Sequence, residues 1–305
     1  RPARAGGTPP QVRVFDTSHE EALFVADEIA RLLRRGNAGG QIAVLYRTHF
    51  QSYELQMELA RQRIPFAMRS GARFQERAHV KDVVAHLRAA LSPDNRLAWQ
   101  RVLCLVPGVG PAAAERFYRR MGADADPLWF ALGEAGAAAL PARARTAWLG
   151  VAQRLRAAMP HLGVGNLGGA IAAVRRSGYD AYLLATFKDA DERIAELEQL
   201  TRVAGHYRSA EEFLADMALA GRDSPVEKGR WPVLTTVHQA KGLEWDAVFV
   251  IGLGEGAFPA GFALDQPGGR EEERRLFYVA VTRARERLYL SYARQWHNRN
   301  YTASS

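Results

Sequence analysis

The segment from Leu234 to Pro259 places the strongest constraint on how this chain of 305 residues can fold. It contains a continuous apolar run, Ala247 to Ile251, of the kind that a buried parallel strand needs, and a second predicted strand precedes it at 233–237. Between the two strands, residues 238–244 carry an imidazole, an ammonium, a glycine and a carboxylate. Because α/β proteins place ligand sites at the edge of a parallel sheet, this polar turn is the first candidate for a functional site.

A second polar segment runs from Glu271 to Tyr292 and predicts a helix that begins with acidic residues and leads into a final strand. Several arginines follow the acidic residues along this predicted helix. The simplest interpretation of such an arginine is an exposed side chain paired with a glutamate such as Glu271 or Glu286. We expect this of most members of the group, namely Arg274, Arg275, Arg285 and Arg287.

The two segments together resemble motifs V and VI of the UvrD/PcrA/Rep-type superfamily 1 DNA helicases. The shared patterns are T-x-H-x-x-K-G-L-E-[FW], G-x-x-E-G-x-F-P and E-E-R-R-L-x-Y-V-x-x-T-R-A, and all three occur between residues 236 and 284. Residues 45–52 also resemble the Y-R-T-N segment of that family, with His49 in place of the asparagine. The resemblance implies an α/β fold with a RecA-like parallel sheet and covering helices.

The order of predicted elements agrees with that fold and adds an inserted domain. Strands are predicted at 12–15, 42–46 and 64–68, and they alternate with helices, the first of which would begin with a capping box of Ser18 and Glu21. From about residue 81 to 220 only helical patterns occur, and Cys104 lies there in an apolar run that predicts a core position. We therefore predict a RecA-like domain made of residues 1–80 and 229–305, interrupted by an all-helical inserted domain at 81–228.

The resemblance implies that part of an ATPase site lies in this chain. Arg283 matches the family's motif VI arginine, which reaches the γ-phosphate, and a permanently cationic, forked donor suits the charge that spreads over a transferring phosphoryl group. Glu244 matches the residue that contacts the ribose, and Gly242 belongs to the same nucleotide-binding motif. ATP is the implied cofactor, together with Mg²⁺.

The rest of such a site is missing from the sequence. A phosphate-binding loop of the pattern G-x-x-x-x-G-K-[ST] does not occur in the 305 residues, and the acidic pairs 27–28 and 191–192 fall within predicted helices instead of at strand ends. By resemblance, the chain corresponds to the C-terminal half of the helicase. We expect an N-terminal RecA-like domain, in the same polypeptide or in a partner chain, to hold most of the ATP and Mg²⁺. The chain alone is expected not to turn ATP over.

The resemblance also implies contacts with single-stranded DNA and with duplex junctions. His238 and Lys241 match positions that face single-stranded DNA, where a ring can stack on a base and an ammonium can neutralise a phosphate. A turn of two close glycines inside the helical domain exposes backbone N–H groups that can hold a phosphate oxygen, although a tight connection between helices would explain it equally well. The remaining implied DNA contacts complete the list: Arg47, Thr48, His49, Gly108, Val109, Gly110 and Trp296.

Composition is consistent with this interpretation and leaves two alternatives open. The formal net charge is +8, and four of the 41 basic residues are lysines, so the excess is carried by arginine, which suits a phosphate partner. No apolar stretch approaches the roughly 20 residues that cross a bilayer, so we expect a cytoplasmic protein with no membrane partner. The predicted function is that of an ATP-dependent helicase moving 3′-to-5′ on DNA. A non-catalytic DNA-binding regulatory module, or the helicase part of a helicase–nuclease, is the alternative.

Overall fold

The structure is a computed structural model that describes residues 8–69, 73–220, 229–296 and 299–300. The chain divides into two compact units. The first, here called the sheet unit, comprises the residues up to Phe74 and those from Asp216 onwards. The second, the helical unit, comprises Gln75–Ala215. Each unit is described by itself below.

The sheet unit is built on one seven-stranded sheet with the strand order β1-β6-β5-β2-β4-β3, in which β7 pairs with β6. The pairings among β1 to β6 are parallel, and β7 runs antiparallel to β6. A parallel sheet requires crossover connections, which here are the covering helices, the segment 237–244 and, between β3 and β4, the helical unit. The strands are β1 (Gln11–Thr17), β2 (Ile42–Tyr46), β3 (Ala67–Met68), β4 (Val233–Thr236), β5 (Trp245–Val250), β6 (Ala284–Trp296) and β7 (Arg299–Asn300).

Both faces of the central strands are buried, as the continuous apolar run of β2 predicts. All five residues of β2 are buried. On one face, Val44 and Phe249 pack with α1 (Ser18–Arg34) and α2 (Tyr53–Arg61). On the other face, Leu45 and Val250 pack against α14 (Gly269–Val281), which follows the short helix α13 (Gly261–Leu264). The predicted α/β fold with a parallel sheet and covering helices is confirmed.

The polar segment 237–244 crosses one face of the sheet, so it does not sit at a single edge as the sequence suggested. The end of β4 lies level with the end of β2, because Thr236 is the register partner of Tyr46. The beginning of β5 lies level with the beginning of β2, because Ala247 is the partner of Ile42. The eight residues between the strands therefore connect the carboxyl edge of the sheet to its amino edge. Helix α14 covers the same face.

The first helix begins one residue earlier than its predicted capping box. Thr17 is the N-cap, and its Oγ1 accepts a hydrogen bond of 3.2 Å from the amide of Glu20. The carboxylate of Glu20 accepts from the amide of Asp16, the residue before the N-cap, at 2.9 Å. The prediction of Ser18 and Glu21 as capping partners is wrong, and it frees Glu21 for a different role in the interior, where it is 3% exposed.

The helical unit has its own core, and its described residues contain no strand. The rings of Trp99, Phe117 and Trp148 pack together at its centre. The carboxylate of Asp82, on the first helix of this unit, accepts from Arg101 Nε of the second helix at 2.6 Å. It also accepts from Oη of Tyr179, much later in the chain, at 2.7 Å, so it joins three elements. The helices are α3 (Ala78–Leu91), α4 (Arg96–Cys104), α5 (Pro111–Gly122), α6 (Pro127–Leu132), α7 (Glu134–Ala139), α8 (Arg145–Gly163), α9 (Leu167–Val174), α10 (Asp180–Thr186), α11 (Ala190–Gly205) and α12 (Ala210–Ala220), the last of which continues past Ala215.

Two further sequence predictions can be compared with the structure. Cys104, predicted to be a core residue, ends α4 and is exposed, because the buried side of that helix carries Val102 and Leu103 instead. Among the described residues, no helix is both long enough and apolar enough to span a membrane.

Candidate functional site

Arg283 is held by neutral acceptors at the amino edge of the sheet. Its Nε donates to the carbonyl of Val279, its Nη1 to the carbonyl of Leu243 and its Nη2 to Oγ1 of Thr282, each at 2.9 Å. Its carbonyl accepts from the amide of Trp245 at 3.0 Å, which fixes the main chain beside the start of β5. Each terminal nitrogen therefore keeps one N–H that no described residue accepts. The guanidinium is oriented, but no carboxylate in the described part of the chain forms an ion pair with it.

The neighbouring arginines differ from Arg283 in this respect. On α14, Arg274 lies 3.6 Å from Glu271, and Arg275 lies 3.5 Å from Glu272, as the sequence predicted. The prediction is wrong for the location of Arg285 and Arg287, because α14 ends at Val281 and both residues lie on β6. Arg285 nevertheless pairs with a carboxylate, whereas Nη1 of Arg287 donates to Oδ1 of Asn37 at 3.1 Å. Three of these four neighbours are thus ion-paired, whereas Arg287, like Arg283, has a neutral partner among the described residues.

Glu244 lies next to Arg283 in the fold. The residues that follow each of them, Trp245 and Ala284, are register partners in adjacent parallel strands. The Glu244 carboxylate is half exposed and accepts from Arg285 Nε at 3.2 Å. Surface ion pairs of this kind contribute about 0–1 kcal/mol, so a ligand can displace the arginine at small cost. Gly242, two residues earlier, is exposed. The structure therefore brings together Arg283, Glu244 and Gly242, the three residues implied to bind nucleotide.

His238 and Lys241 lie on the segment that crosses from the carboxyl edge to the amino edge. Both side chains are exposed, and neither makes a hydrogen bond or an ion pair with a residue that the structure describes. Partial burial, together with the positive charge of Arg47, lowers the pKa of His238, which favours the neutral ring at pH 7. A neutral imidazole can stack on a base without attracting a counter-ion, and an exposed ammonium can pair with a phosphate.

Arg47 follows β2 at the carboxyl edge, but its side chain points to the interior of the sheet unit. Its Nε donates to Glu273 Oε1 at 2.8 Å, and the two side chains are 12% and 3% exposed. The second oxygen of Glu273 accepts from the amide of Ala260 at 3.0 Å. Sequence reasoning missed Glu273, because the E-E-R-R pattern marks a helix start and gives no sign that one of its carboxylates is buried.

Thr48 and His49 form the turn after Arg47. The side chain of Gln51 organises this turn by accepting from the amides of Arg47 and Thr48, at 2.7 and 3.1 Å. Both Thr48 and His49 are partly exposed, and the ring of His49 packs edge-on against Tyr46 with centroids 5.8 Å apart. The turn stands at the same edge of the sheet as the end of β4, which leads into His238. Gln51 is a second positioning residue that the sequence did not reveal.

The glycine turn of the helical unit connects α4 to α5. Gly108 has a φ of 83°, in the left-handed region that favours glycine, and a Cβ there would lie 2.8 Å from Nε of Arg143. Val109 is buried, and Gly110 is the N-cap of α5. The turn therefore presents a helix N-terminus beside an exposed arginine, an arrangement that suits a phosphate.

Two expectations concern residues at the limits of the structure. Trp296 ends β6, but its side chain and the following residue, His297, lie outside the described residues. Among the residues that the structure describes, no group of three or more His, Cys, Asp or Glu side chains could hold a metal ion.

Comparison with known proteins identifies the family. The model of the UvrD-like helicase C-terminal domain matches residues 2–125 and 170–295. The chain is similar to the ATP-dependent DNA helicase UvrD1 of Mycobacterium tuberculosis, with 34% identity over 310 residues. It is also similar to DNA helicase II of Haemophilus influenzae (32% over 293 residues) and to the ATP-dependent DNA helicase PcrA of Staphylococcus aureus (29% over 290 residues).

These alignments cover between 90% and 92% of the chain but only 40% of each relative. The family model alone matches well over half of the chain, on both sides of one gap. The resemblance first seen in two polar segments thus extends over both units. The chain belongs to the UvrD-like helicase C-terminal domain family.

Proposed function

We propose that this chain is the C-terminal portion of an ATP-dependent, 3′-to-5′ DNA helicase and that it completes an ATPase site shared with an N-terminal RecA-like domain. The observation that carries the proposal is the state of Arg283, a half-buried guanidinium oriented by three neutral acceptors. Three neighbouring arginines, Arg274, Arg275 and Arg285, are instead paired with carboxylates. An arginine that acts on a phosphoryl group needs the opposite arrangement, a fixed geometry with uncompensated charge.

The residues at the amino edge fit a nucleoside triphosphate. The two remaining N–H groups, one on each terminal nitrogen of Arg283, can donate in parallel to phosphate oxygens. The Glu244 carboxylate can accept from a ribose hydroxyl once Arg285 is displaced. ATP, when bound, supplies the phosphoryl group that is transferred to water. Arg283 would stabilise the negative charge that develops during that transfer, without itself exchanging a proton. Mg²⁺ remains an expectation from the family.

The carboxyl edge of the sheet supplies the proposed contacts with single-stranded DNA. His238 would stack on a base, Lys241 would neutralise a phosphate, and Thr48 and His49 would line the same track. Trp296 belongs to this proposal from the sequence alone. Arg47 has a buried partner in Glu273, so its contribution would be to hold the turn in place. The turn from Gly108 to Gly110 would contact the duplex side of a junction.

Two segments connect the proposed nucleotide and DNA sites. The crossing segment carries His238 at the carboxyl edge and Glu244 at the amino edge. Helix α14 carries Glu273, which binds the DNA-side turn, and is followed two residues after its end by Arg283. A helix of 13 residues spans about 20 Å, so it behaves as a short rigid rod. Closure of a nucleotide cleft on Arg283 would therefore displace the DNA-binding turn, which is the coupling that translocation needs.

The function is tested by adding the proposed missing half. The chain should bind single-stranded DNA in low salt and should hydrolyse ATP only when a family N-terminal RecA-like domain is joined ahead of residue 1. DNA should stimulate that hydrolysis. Magnesium-dependent hydrolysis by the chain alone at a rate typical of the family, or a joined protein that binds both ligands but never hydrolyses ATP, would refute the shared-site proposal.

A further inference from the structure

The loop 252–260, which follows β5, is attached to the sheet unit at both ends through buried carboxylates. At its start, Glu21 of α1 accepts from the amide of Gly252 at 3.0 Å. At its end, Glu273 of α14 accepts from the amide of Ala260 at 3.0 Å. Both carboxyl side chains are 3% exposed. Between these anchors, the tip of the loop at 254–256 is partly or fully exposed.

The same two carboxylates also fix the turn at Arg47. Glu273 does so directly through its ion pair with Arg47, at 2.8 Å. Glu21 acts on the turn indirectly, by holding Gly252, whose φ is 66°. Gly252 packs so closely on Gln51 that a Cβ at position 252 would lie 3.0 Å from Nε2 of Gln51. Gln51 in turn accepts from the amides of Arg47 and Thr48. Hydrogen bonds hold the end of the loop to the turn after β2 through Glu273, whereas the start of the loop reaches that turn through the close packing of Gly252 on Gln51.

Glu21 is additionally bound to β6. Its Oε1 accepts from Ser291 Oγ at 2.6 Å, and the carbonyl of Ser291 accepts from the amide of Leu253 at 3.0 Å. The charged group that acts on Glu21 from the packed elements is Glu54 of α2, whose carboxylate accepts from Ser18 Oγ at 2.9 Å. A helix-start role would place Glu21 at the surface. Its burial against the loop, β6 and α2 is the arrangement expected of a residue that sets the position of a loop.

We propose that Glu21 and Glu273 are positioning residues that, together with the loop 252–260 anchored between them, hold the Arg47–His49 turn in the geometry that binds single-stranded DNA. The inference rests on the proposed function, and neither carboxylate touches the DNA. Burial raises the pKa of Glu21 to about 7, with the Glu54 charge as a smaller contribution, so a neutral acceptor suits this site. Glu273 faces a guanidinium and acts as an anion.

Replacing each glutamate by glutamine should therefore affect DNA affinity differently at the two positions. Glu21→Gln keeps an acceptor oxygen for Gly252 and Ser291 and adds an N–H₂ group toward Glu54, so it should bind DNA within about twofold of the wild type. Glu21→Ala removes both hydrogen bonds, which releases the start of the loop, and should weaken binding about tenfold. Glu273→Gln removes the charge from the ion pair with Arg47 and should also weaken binding, by at least about fivefold.

Glu28→Ala is the matched structural control. Glu28 lies on α1 as well and also connects that helix to β6, by accepting from Tyr289 Oη at 2.7 Å, but it makes no contact with the loop 252–260 among the described residues. Its loss should lower the unfolding temperature while changing DNA affinity less than about twofold. A merely structural role for Glu21 would make Glu21→Ala and Glu28→Ala reduce DNA binding in proportion to their loss of stability.

The experiment measures the fluorescence anisotropy of a labelled oligo-dT strand with the 305-residue chain and the four variants, each with its unfolding temperature determined in the same buffer. The inference is supported if Glu21→Gln restores the affinity that Glu21→Ala loses, while Glu28→Ala loses stability alone. It is overturned if the folded Glu21→Ala and Glu273→Gln variants bind as tightly as the wild type, or if Glu28→Ala weakens binding equally. Wild-type chain that does not bind the strand in low salt would refute the proposed DNA function itself, and this inference with it.

Discussion

The buried carboxyl of Glu21 predicts a specific pH dependence of stability. Its pKa is raised from 4.5 to about 7 in the folded protein, first because burial penalises the charged form. In the unfolded chain the same group ionises near its ordinary value. Between these two pKa values the folded state binds a proton that the unfolded state has lost. The contribution of Glu21 to stability is therefore fully present below about pH 4.5 and is lost as the pH rises through 7.

The size of the effect follows from the two pKa values. At about 1.4 kcal/mol for each pH unit, the rise from 4.5 to about 7 corresponds to a loss on the order of 3 kcal/mol in the free energy of unfolding. Glu21→Gln cannot ionise and keeps the acceptor for Gly252 and Ser291. The variant should therefore match the wild type near pH 4.5 and exceed it in stability by on the order of 3 kcal/mol at pH 8.

Urea unfolding at half-unit steps from pH 4.5 to 8 measures this difference. Hydrogen exchange of peptides from β5 and β6 reports the sheet unit separately from the helical unit, which matters because two units need not unfold together. Subtracting the wild-type curve from the variant curve removes the titrations that the two proteins share. A flat difference between the Glu21→Gln and wild-type curves would contradict the raised pKa of Glu21.

Two other predictions concern the DNA contacts. Gly108→Ala should weaken binding to a duplex junction and destabilise the helical unit by about 1 kcal/mol or more, because the φ of Gly108 is 83° and a Cβ would meet Arg143. Gly110→Ala, which has open space around it, should be close to neutral in both respects. Fluorescence anisotropy with a labelled junction and thermal unfolding measure the two effects, and equal results for the two variants would contradict the turn geometry. Lys241→Ala should reduce the slope of log affinity for single-stranded DNA against log salt by about 0.7, the value for one phosphate contact. A slope that does not change would remove Lys241 from the phosphate contacts.

The sequence predicts the sheet well where one physical signal dominates. Ile42 to Tyr46 is apolar at every position, and only a strand buried on both faces needs such a run. The helical unit is equally clear, since α3 begins and ends within a few residues of its 3.6-residue pattern. In each case the neighbours along the chain determine the outcome.

The failures involve partners that are distant in the sequence. The burial of Arg47 depends on Glu273, which lies 226 residues away, so no local pattern can reveal it. Glu21 satisfies a capping-box pattern with Ser18, but Thr17 and Glu20 satisfy it one residue earlier, and only the packed structure decides between them. The charge pattern of α14 continues past the end of that helix, so the sequence places Arg285 in the helix. In the structure, the residues from Ala284 onwards pair with β5 and form a strand instead. The motif alone identifies Arg283 as a candidate, but it does not reveal that the hydrogen-bond partners of Arg283 are neutral.

The proposed action of Arg283 on the phosphoryl group, across a shared ATPase site, can be measured through DNA-stimulated ATP hydrolysis. The assay uses a protein that contains both RecA-like domains and compares Arg283→Ala with Arg274→Ala. Arg274 is the matched control, because it is an exposed arginine of α14 paired with Glu271. Arg283→Ala should lower kcat by about 10³ to 10⁵, equivalent to roughly 4–7 kcal/mol, with little change in DNA affinity, while Arg274→Ala should stay within about twofold. A loss of less than about tenfold for Arg283→Ala, or an equal loss in the two variants, would contradict the proposed action.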